Sequence, residues 1–184
     1  MSEHIASLVK WALEWRADLE ALKAAVGADQ AKAEIRRYSA AALNYVVSRM
    51  DLVPDWEPAV GLFDDLMVVR ICAARALEAI GPEEGDGGLD HRVATQLGRL
   101  ANQAEQMRDF LGDDLYAKLG AYCDRQLAVA VRGRTPDQLV SDEKARGLLY
   151  AEVDDAAKRA GEVSVPDQAQ AAVRLKAYLG HKLK

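Results

Sequence analysis

Acidic side chains concentrate in one short stretch, residues 51–65, whose sequence is DLVPDWEPAVGLFDD. Carboxylate oxygens are the ligands that hard cations such as Mg²⁺ and Ca²⁺ take in proteins. If the flanking segments form an antiparallel pair of helices, the four aspartates of this stretch lie at the same end of that pair. The candidate metal ligands are Asp51, Asp55, Asp64 and Asp65. Binding of Mg²⁺ or Ca²⁺ is therefore one interpretation of the stretch.

A structural role for the same aspartates is the favoured interpretation, because each has a use without an ion. Pro54 cannot lie inside a helix, so a helix must end just before it. Asp55 can then accept bonds from free backbone N–H groups of a turn. Asp64 and Asp65 fall in or near the first turn of the next helix, where the helix dipole favours negative charge by about 0.3–1 kcal/mol each. Adjacent side chains also point about 100° apart on a helix, which makes a shared ion difficult.

The stretch and its flanks, about residues 36–80, resemble the YkvA-like family, a bacterial helical domain of unknown function. That family carries an Asp-Leu-Ile-Pro-Asp element, then Pro and Gly, then Asp-Asp-Leu at the start of the next helix. The matching positions are Asp51, Leu52, Val53, Pro54, Asp55, Pro58, Gly61, Asp64, Asp65 and Leu66. The chain departs from the family at residues 48–50, where it has Ser-Arg-Met and the family commonly has Ser-Pro. The resemblance implies a helical hairpin and proximity to a membrane, and it implies no established reaction.

The composition predicts an all-α protein. The chain has 184 residues, of which 50% are hydrophobic and 29% charged. A chain of this length can bury roughly 70% of its unfolded surface, so it needs no disulfide or metal for stability. Alanine, leucine, glutamate, arginine and lysine are abundant, whereas isoleucine, threonine and phenylalanine are scarce, and this bias favours helix over sheet. We expect a bundle of six to eight helices built around the proline- and aspartate-rich hairpin.

Hydrophobic periodicity and capping signals place the individual helices. The predicted helices cover residues 3–26, 29–50, 60–80, 89–111, 113–131 and 136–160, with a break near Ser141, and a last helix opens at Ser164 or Pro166. Thr135, Pro136 and Gln138 form a strong start signal with a capping box. The glycine-rich segment 82–88 separates an N-terminal region, 1–81, from a C-terminal region, 89–184. We expect the two regions to pack as one globular unit.

The three tryptophans are candidate anchors for a protein partner. Trp11 and Trp15 lie four residues apart and therefore share a helix face. Trp56 lies within the acidic stretch, where it can also fold inward between the helices, and indoles at an interface often dominate its binding energy. The alternative is that the first two indoles simply widen a buried stripe. The two cysteines, Cys72 and Cys123, sit in apolar patterns and are predicted to be buried free thiols.

Several function classes are disfavoured by the sequence. The formal net charge of -5 argues against a protein that neutralises nucleic-acid phosphates. Charges interrupt the N-terminal stretch every few residues, which argues against a signal peptide, and no window approaches the roughly 18 apolar residues of a spanning helix. No hydrolase, P-loop or dinucleotide-binding fingerprint occurs. Because the sequence indicates neither a signal peptide nor a spanning helix, we expect a cytoplasmic location.

The function expected from the sequence is that of a helical scaffold or protein-interaction module without catalysis. It would bind an unidentified protein partner or a second copy of itself. One alternative is a metal-dependent binding protein or hydrolase that uses the four aspartates. A second alternative, suggested by the family resemblance and by basic residues near the C-terminus, is a peripheral membrane protein. Those basic residues are Arg174, Lys176, Lys182 and Lys184.

Overall fold

A computed structural model describes residues 2–48, 51–54, 57, 60–80, 85–159 and 163–184. All regular elements in this part of the chain are helices. They are α1 (Ser2–Leu13), α2 (Trp15–Gly27), α3 (Ala33–Val46), α4 (Phe63–Glu78), α5 (His91–Leu111), α6 (Asp113–Gln126), α7 (Pro136–Ser141), α8 (Glu143–Arg159) and α9 (Gln168–Lys182). The predicted all-α bundle is confirmed for these ranges. The expected number of six to eight helices is wrong, because the described residues form nine.

The additional helices come from breaks in segments that read as continuous. The predicted helix 3–26 divides at Glu14 into α1 and α2. The two halves have different neighbours, since α1 packs against α9 and α4 whereas α2 packs against α3 and α5. The break near Ser141 was expected and is confirmed. There, the Asp142 carboxylate accepts backbone N–H bonds from Lys144 at 2.9 Å and Ala145 at 3.1 Å and starts α8.

Helix ends are confirmed where a specific capping signal marks them. Thr135 caps α7 with a complete capping box, and Gly112 ends α5 at a φ of 83°, which favours glycine. Two predicted starts are wrong. The second predicted helix begins at Ala33 rather than beside Asp29, whose carboxylate instead accepts a bond from Arg36. The last helix begins at Gln168 behind a capping Asp167 rather than at Ser164 or Pro166.

Helices α3 and α4 pack against each other, and each also contacts several of the other helices. Fully buried apolar side chains on these two helices include Leu43, Phe63, Leu66 and Met67. Helix α5 packs along α4 and α2, so side chains on both sides of segment 82–88 share one hydrophobic core. The division into regions 1–81 and 89–184 stays a prediction, and part of the boundary, residues 81–84, lies outside the described residues.

The two cysteines are confirmed as buried free thiols. Cys72 on α4 and Cys123 on α6 are both fully buried. Burial raises the pKa of Cys123 well above its ordinary value, and a hydrogen bond with Cys72 acts in the same direction. The Cys123 side chain is therefore a neutral core residue at neutral pH. Within the described residues, no helix combines the length and apolarity that crossing a membrane requires.

Candidate functional site

A buried hydrogen-bonded pair, Tyr45 and Asp64, holds the loop that joins α3 to α4. The Tyr45 hydroxyl donates a bond of 2.6 Å to Asp64 Oδ2 and accepts a bond of 2.9 Å from the Leu52 backbone N–H. The same Asp64 oxygen accepts a bond of 3.0 Å from the Val53 backbone N–H. Asp64 therefore lies in the first turn of its helix, as predicted, but it also binds the loop just before Pro54.

The surroundings of this pair set its charge. Burial is the largest influence on Asp64 and raises the pKa of its carboxyl to about 6, while the bonds from Tyr45 and the Val53 N–H act in the opposite direction. Burial, followed by the negative charge of Asp64, raises the pKa of Tyr45 well above its ordinary value. The Tyr45 phenol therefore keeps its proton at neutral pH and donates a hydrogen bond to the Asp64 carboxylate.

The four aspartates proposed as metal ligands have different environments. Asp64 is fully buried, Asp65 is nearly so, and Asp51 is half-buried. Asp55 lies outside the described residues. Among the residues that are described, no group of three or more His, Cys, Asp or Glu side chains is arranged to hold a metal ion. Because one of the four is not described, the four-aspartate site stays a prediction.

The remaining acid of the stretch, Glu57, connects the loop to the C-terminal helix. Its side chain accepts a bond of 2.9 Å from Arg174 Nη1 and one of 3.0 Å from the Tyr178 hydroxyl, both on α9. The Glu57 side chain is largely buried, whereas Arg174 is about half exposed. The loop between α3 and α4 is therefore attached to the protein from both sides: to α3 and α4 through the Tyr45–Asp64 pair, and to α9 through Glu57.

A buried ion pair that the sequence did not reveal lies between α2 and α4. Arg70 Nη2 donates a bond of 2.9 Å to Asp18 Oδ2, and both side chains are fully buried. The guanidinium also donates to the Leu66 carbonyl at 3.0 Å and to Gln103 Oε1 at 2.8 Å. Its carbon lies 4.5 Å from the centre of the Trp11 ring. Arg70 is thus bound on all sides by groups of three other helices and its own.

Asp18 is surrounded in the same way. Its Oδ1 accepts a bond of 3.0 Å from Gln96 Nε2 and another from Arg99, which also pairs with Glu14. Burial raises the pKa of Asp18, and the charges of Arg70 and Arg99 oppose that shift. Burial also lowers the pKa of Arg70 to about 10, so the guanidinium remains charged at neutral pH. The only sequence signal was that Asp18 and Arg70 each interrupt an otherwise apolar helix stripe.

The tryptophans proposed as partner anchors are mostly part of the core. Trp11 is 5% exposed and Trp15 is 3% exposed, so neither indole projects from the surface as an anchor. Trp56 lies outside the described residues. Partner binding by these indoles stays a prediction, although an edge of Trp11 lines a surface groove.

That groove lies between α1 and α5 and has a volume of about 230 Å³. We call it the α1–α5 groove. Its floor consists of buried aromatic, aliphatic and methionine side chains, namely Leu8, Trp11, Met67, Met107 and Phe110. Methionine is flexible and polarizable and is common at surfaces that adapt to binding partners. The floor is therefore chemically suited to receive an apolar group.

The rim of the α1–α5 groove is polar. It is formed by Glu3, His4, Ser7, Gln106 and Asp109. The His4 ring lies 5.5 Å from the Phe110 ring. On the α9 side, Lys176 Nζ lies 4.7 Å from the centre of the same Phe110 ring. An apolar floor with a polar rim is the arrangement found at ligand- and partner-binding surfaces.

Comparison with known proteins identifies a family match in the central part of the chain. Residues 38–70 match the model of a family described as a protein of unknown function, DUF1232. The matched segment includes most of α3, the loop with the Tyr45–Asp64 pair and the first half of α4. No curated protein and no solved structure gave a match. Of the described residues that line the α1–α5 groove, only Met67 belongs to the matched segment.

Proposed function

We propose that this protein is a helical interaction module without catalysis, and that it binds a segment of a partner protein in the α1–α5 groove. The observation that carries this proposal is the groove itself, in which two methionines and two aromatic rings form a floor beneath a polar rim. A partner side chain inserted there would replace water over an apolar surface, and this replacement is the main source of binding energy at interfaces.

The chemistry of the family segment supports a structural rather than a catalytic use. Asp64 is the most deeply buried of its described aspartates, and its Oδ2 is occupied by a phenol and a backbone N–H. Glu57 is occupied by α9. These two acids therefore stabilise the protein's own loop between α3 and α4. The segment in turn helps to position the helices that form the binding groove.

Three finer assignments belong to the same proposal. The first is that the matched family is the YkvA-like family, which the motif at residues 51–66 favours. The second is that α3, α4 and their connecting loop act as a hairpin around which the bundle is built. The third is a cytoplasmic location, as expected from the sequence.

A photo-crosslinking experiment in the protein's own cells tests the interaction. A benzophenone amino acid is placed at Gln106, on the groove rim, and in a matched control at Leu148, which is 55% exposed and lies on α8. We expect a discrete crosslinked species from position 106 and none from position 148. Adding Ser7→Trp, which fills the groove from α1, should remove that species.

The outcome at position 106 decides the proposal. A crosslink that persists in the Ser7→Trp variant, or equal crosslinking at both positions, would contradict binding in the groove. Absence of any crosslink would contradict it as well. Circular dichroism of each variant checks that the helices are intact.

A further inference from the structure

We infer that the α1–α5 groove selects a partner segment in which one large apolar side chain stands next to a lysine or arginine. This inference rests on the proposed function and specifies the chemistry of the partner. The apolar side chain would contact the methionines and aromatic rings of the floor, and the cation would contact the carboxylates of the rim.

The size of the groove favours a single side chain. Its volume of about 230 Å³ is below the roughly 300–1,000 Å³ of pockets that enclose whole small-molecule ligands. An aromatic or long aliphatic side chain fills such a space, and anchors of this kind carry much of the binding energy at protein interfaces. Met67 and Met107 can adjust their rotamers to the shape of the anchor, because the methionine side chain is unbranched.

The charge of the rim favours a cation. Glu3 and Asp109 are both exposed, and neither carboxylate has a hydrogen bond or ion pair among the described residues. None of the described side chains that line the groove belongs to lysine or arginine. The whole chain carries a formal net charge of -5, which attracts a basic segment over a longer range.

Each of the two aromatic rings of the floor already contacts a cationic side chain of the protein. Arg70 lies against the Trp11 ring at 4.5 Å and Lys176 lies against the Phe110 ring at 4.7 Å. Ring faces attract cations electrostatically. Because Lys176 covers Phe110 from α9, it also places a positive charge near that end of the groove. An incoming cation therefore contacts Glu3 and Asp109 rather than the Phe110 face.

Three probes that share one ring and differ in charge test the inference. They are tryptamine, a cation at neutral pH, 3-methylindole, which is neutral, and indole-3-acetate, an anion. Binding is followed by NMR of ¹³C-labelled methionine methyl groups, with the Met67 and Met107 signals assigned from Met→Leu variants. We expect tryptamine to shift both signals and to bind about 1.5- to 5-fold more tightly than 3-methylindole, the range expected for exposed ion pairs. Indole-3-acetate should bind most weakly.

The double variant Glu3→Gln/Asp109→Asn is the matched control. It should lose the preference for tryptamine over 3-methylindole. If all three probes bind equally, or if the anion binds best, the selection for a cation is wrong while the groove remains a binding surface. If no probe shifts either methionine signal, both this inference and the proposed function are wrong.

Discussion

The hydroxyl of Tyr45 joins two parts of the chain, because it donates to Asp64 Oδ2 at 2.6 Å and accepts from the Leu52 N–H at 2.9 Å. All three groups are buried, so none can exchange its partner for water. A buried donor or acceptor left without a partner costs about 1–3 kcal/mol. The conformation of the loop before Pro54 therefore depends on this hydroxyl.

Removal of the hydroxyl should destabilise the protein. In Tyr45→Phe, the Leu52 N–H loses its acceptor and Asp64 loses one donor, and we expect the free energy of unfolding to fall by about 2–4 kcal/mol. Urea denaturation followed by circular dichroism measures this change. Tyr116→Phe is the matched control, because its hydroxyl contacts Glu105 at 3.3 Å in an exposed position. The control should change the free energy by less than about 0.5 kcal/mol.

The titration of Asp64 should make stability depend on pH in an unusual direction. The pKa of its carboxyl rises from 3.8 to about 6 on folding, so the folded chain binds the proton more tightly than the unfolded chain does. The resulting stabilisation is complete below about pH 4 and is lost as the pH rises through 6, by roughly 3 kcal/mol at most.

Asp64→Asn provides the reference for that titration, since the amide keeps an acceptor oxygen and cannot ionise. The measured quantity is the free energy of unfolding of the unmodified protein minus that of the variant, from pH 4 to pH 7. We expect this difference to decrease as the pH rises, and the contributions of other titrating groups cancel in it. A difference that increases with pH would show that the hydrogen bonds to Asp64 outweigh its burial.

Removing one charge of the buried ion pair should destabilise the protein more than removing both charges. Arg70→Met leaves Asp18 with less compensating charge, and Asp18→Leu removes the carboxylate that binds Arg70, so each should cost about 3–5 kcal/mol. The double variant removes both charges and should be more stable than either single variant. A double-mutant cycle by urea denaturation gives the coupling energy. Additive effects of the two substitutions would contradict the described contact.

The metal hypothesis has a direct test. Because Asp64 Oδ2 is engaged by Tyr45 and the Val53 N–H, we expect titration with Mg²⁺, Mn²⁺ or Ca²⁺ to give no heat of binding. The melting temperature should not change either. A saturable heat that disappears in Asp55→Asn would instead establish the four-aspartate site.

Sequence reasoning succeeded where a single short signal determines the local structure. Thr135 with Gln138, and Gly112 in its left-handed conformation, mark helix ends by their own backbone chemistry. Asp64 was correctly placed in the first turn of α4 for the same reason. Its bond to Tyr45 was not predictable, because that bond depends on how α3 packs against α4.

Other features depend on packing between distant parts of the chain. No glycine or proline marks the break at Glu14, which follows from the different neighbours of α1 and α2. The α1–α5 groove likewise exists only because residues of α1, α4 and α5, far apart in sequence, lie close together. Neither feature has a local sequence signature.

The ion pair also bears on how far the family segment can stand alone. Arg70 is the last residue of the matched range 38–70, whereas Asp18, 52 positions earlier, lies outside it. A peptide of residues 38–70 would contain the Arg70 guanidinium without the Asp18 carboxylate that neutralises it. The segment is therefore not an autonomous folding unit in this protein. In related sequences that share this arrangement, positions 18 and 70 should change together, since either change alone strands a charge in the core.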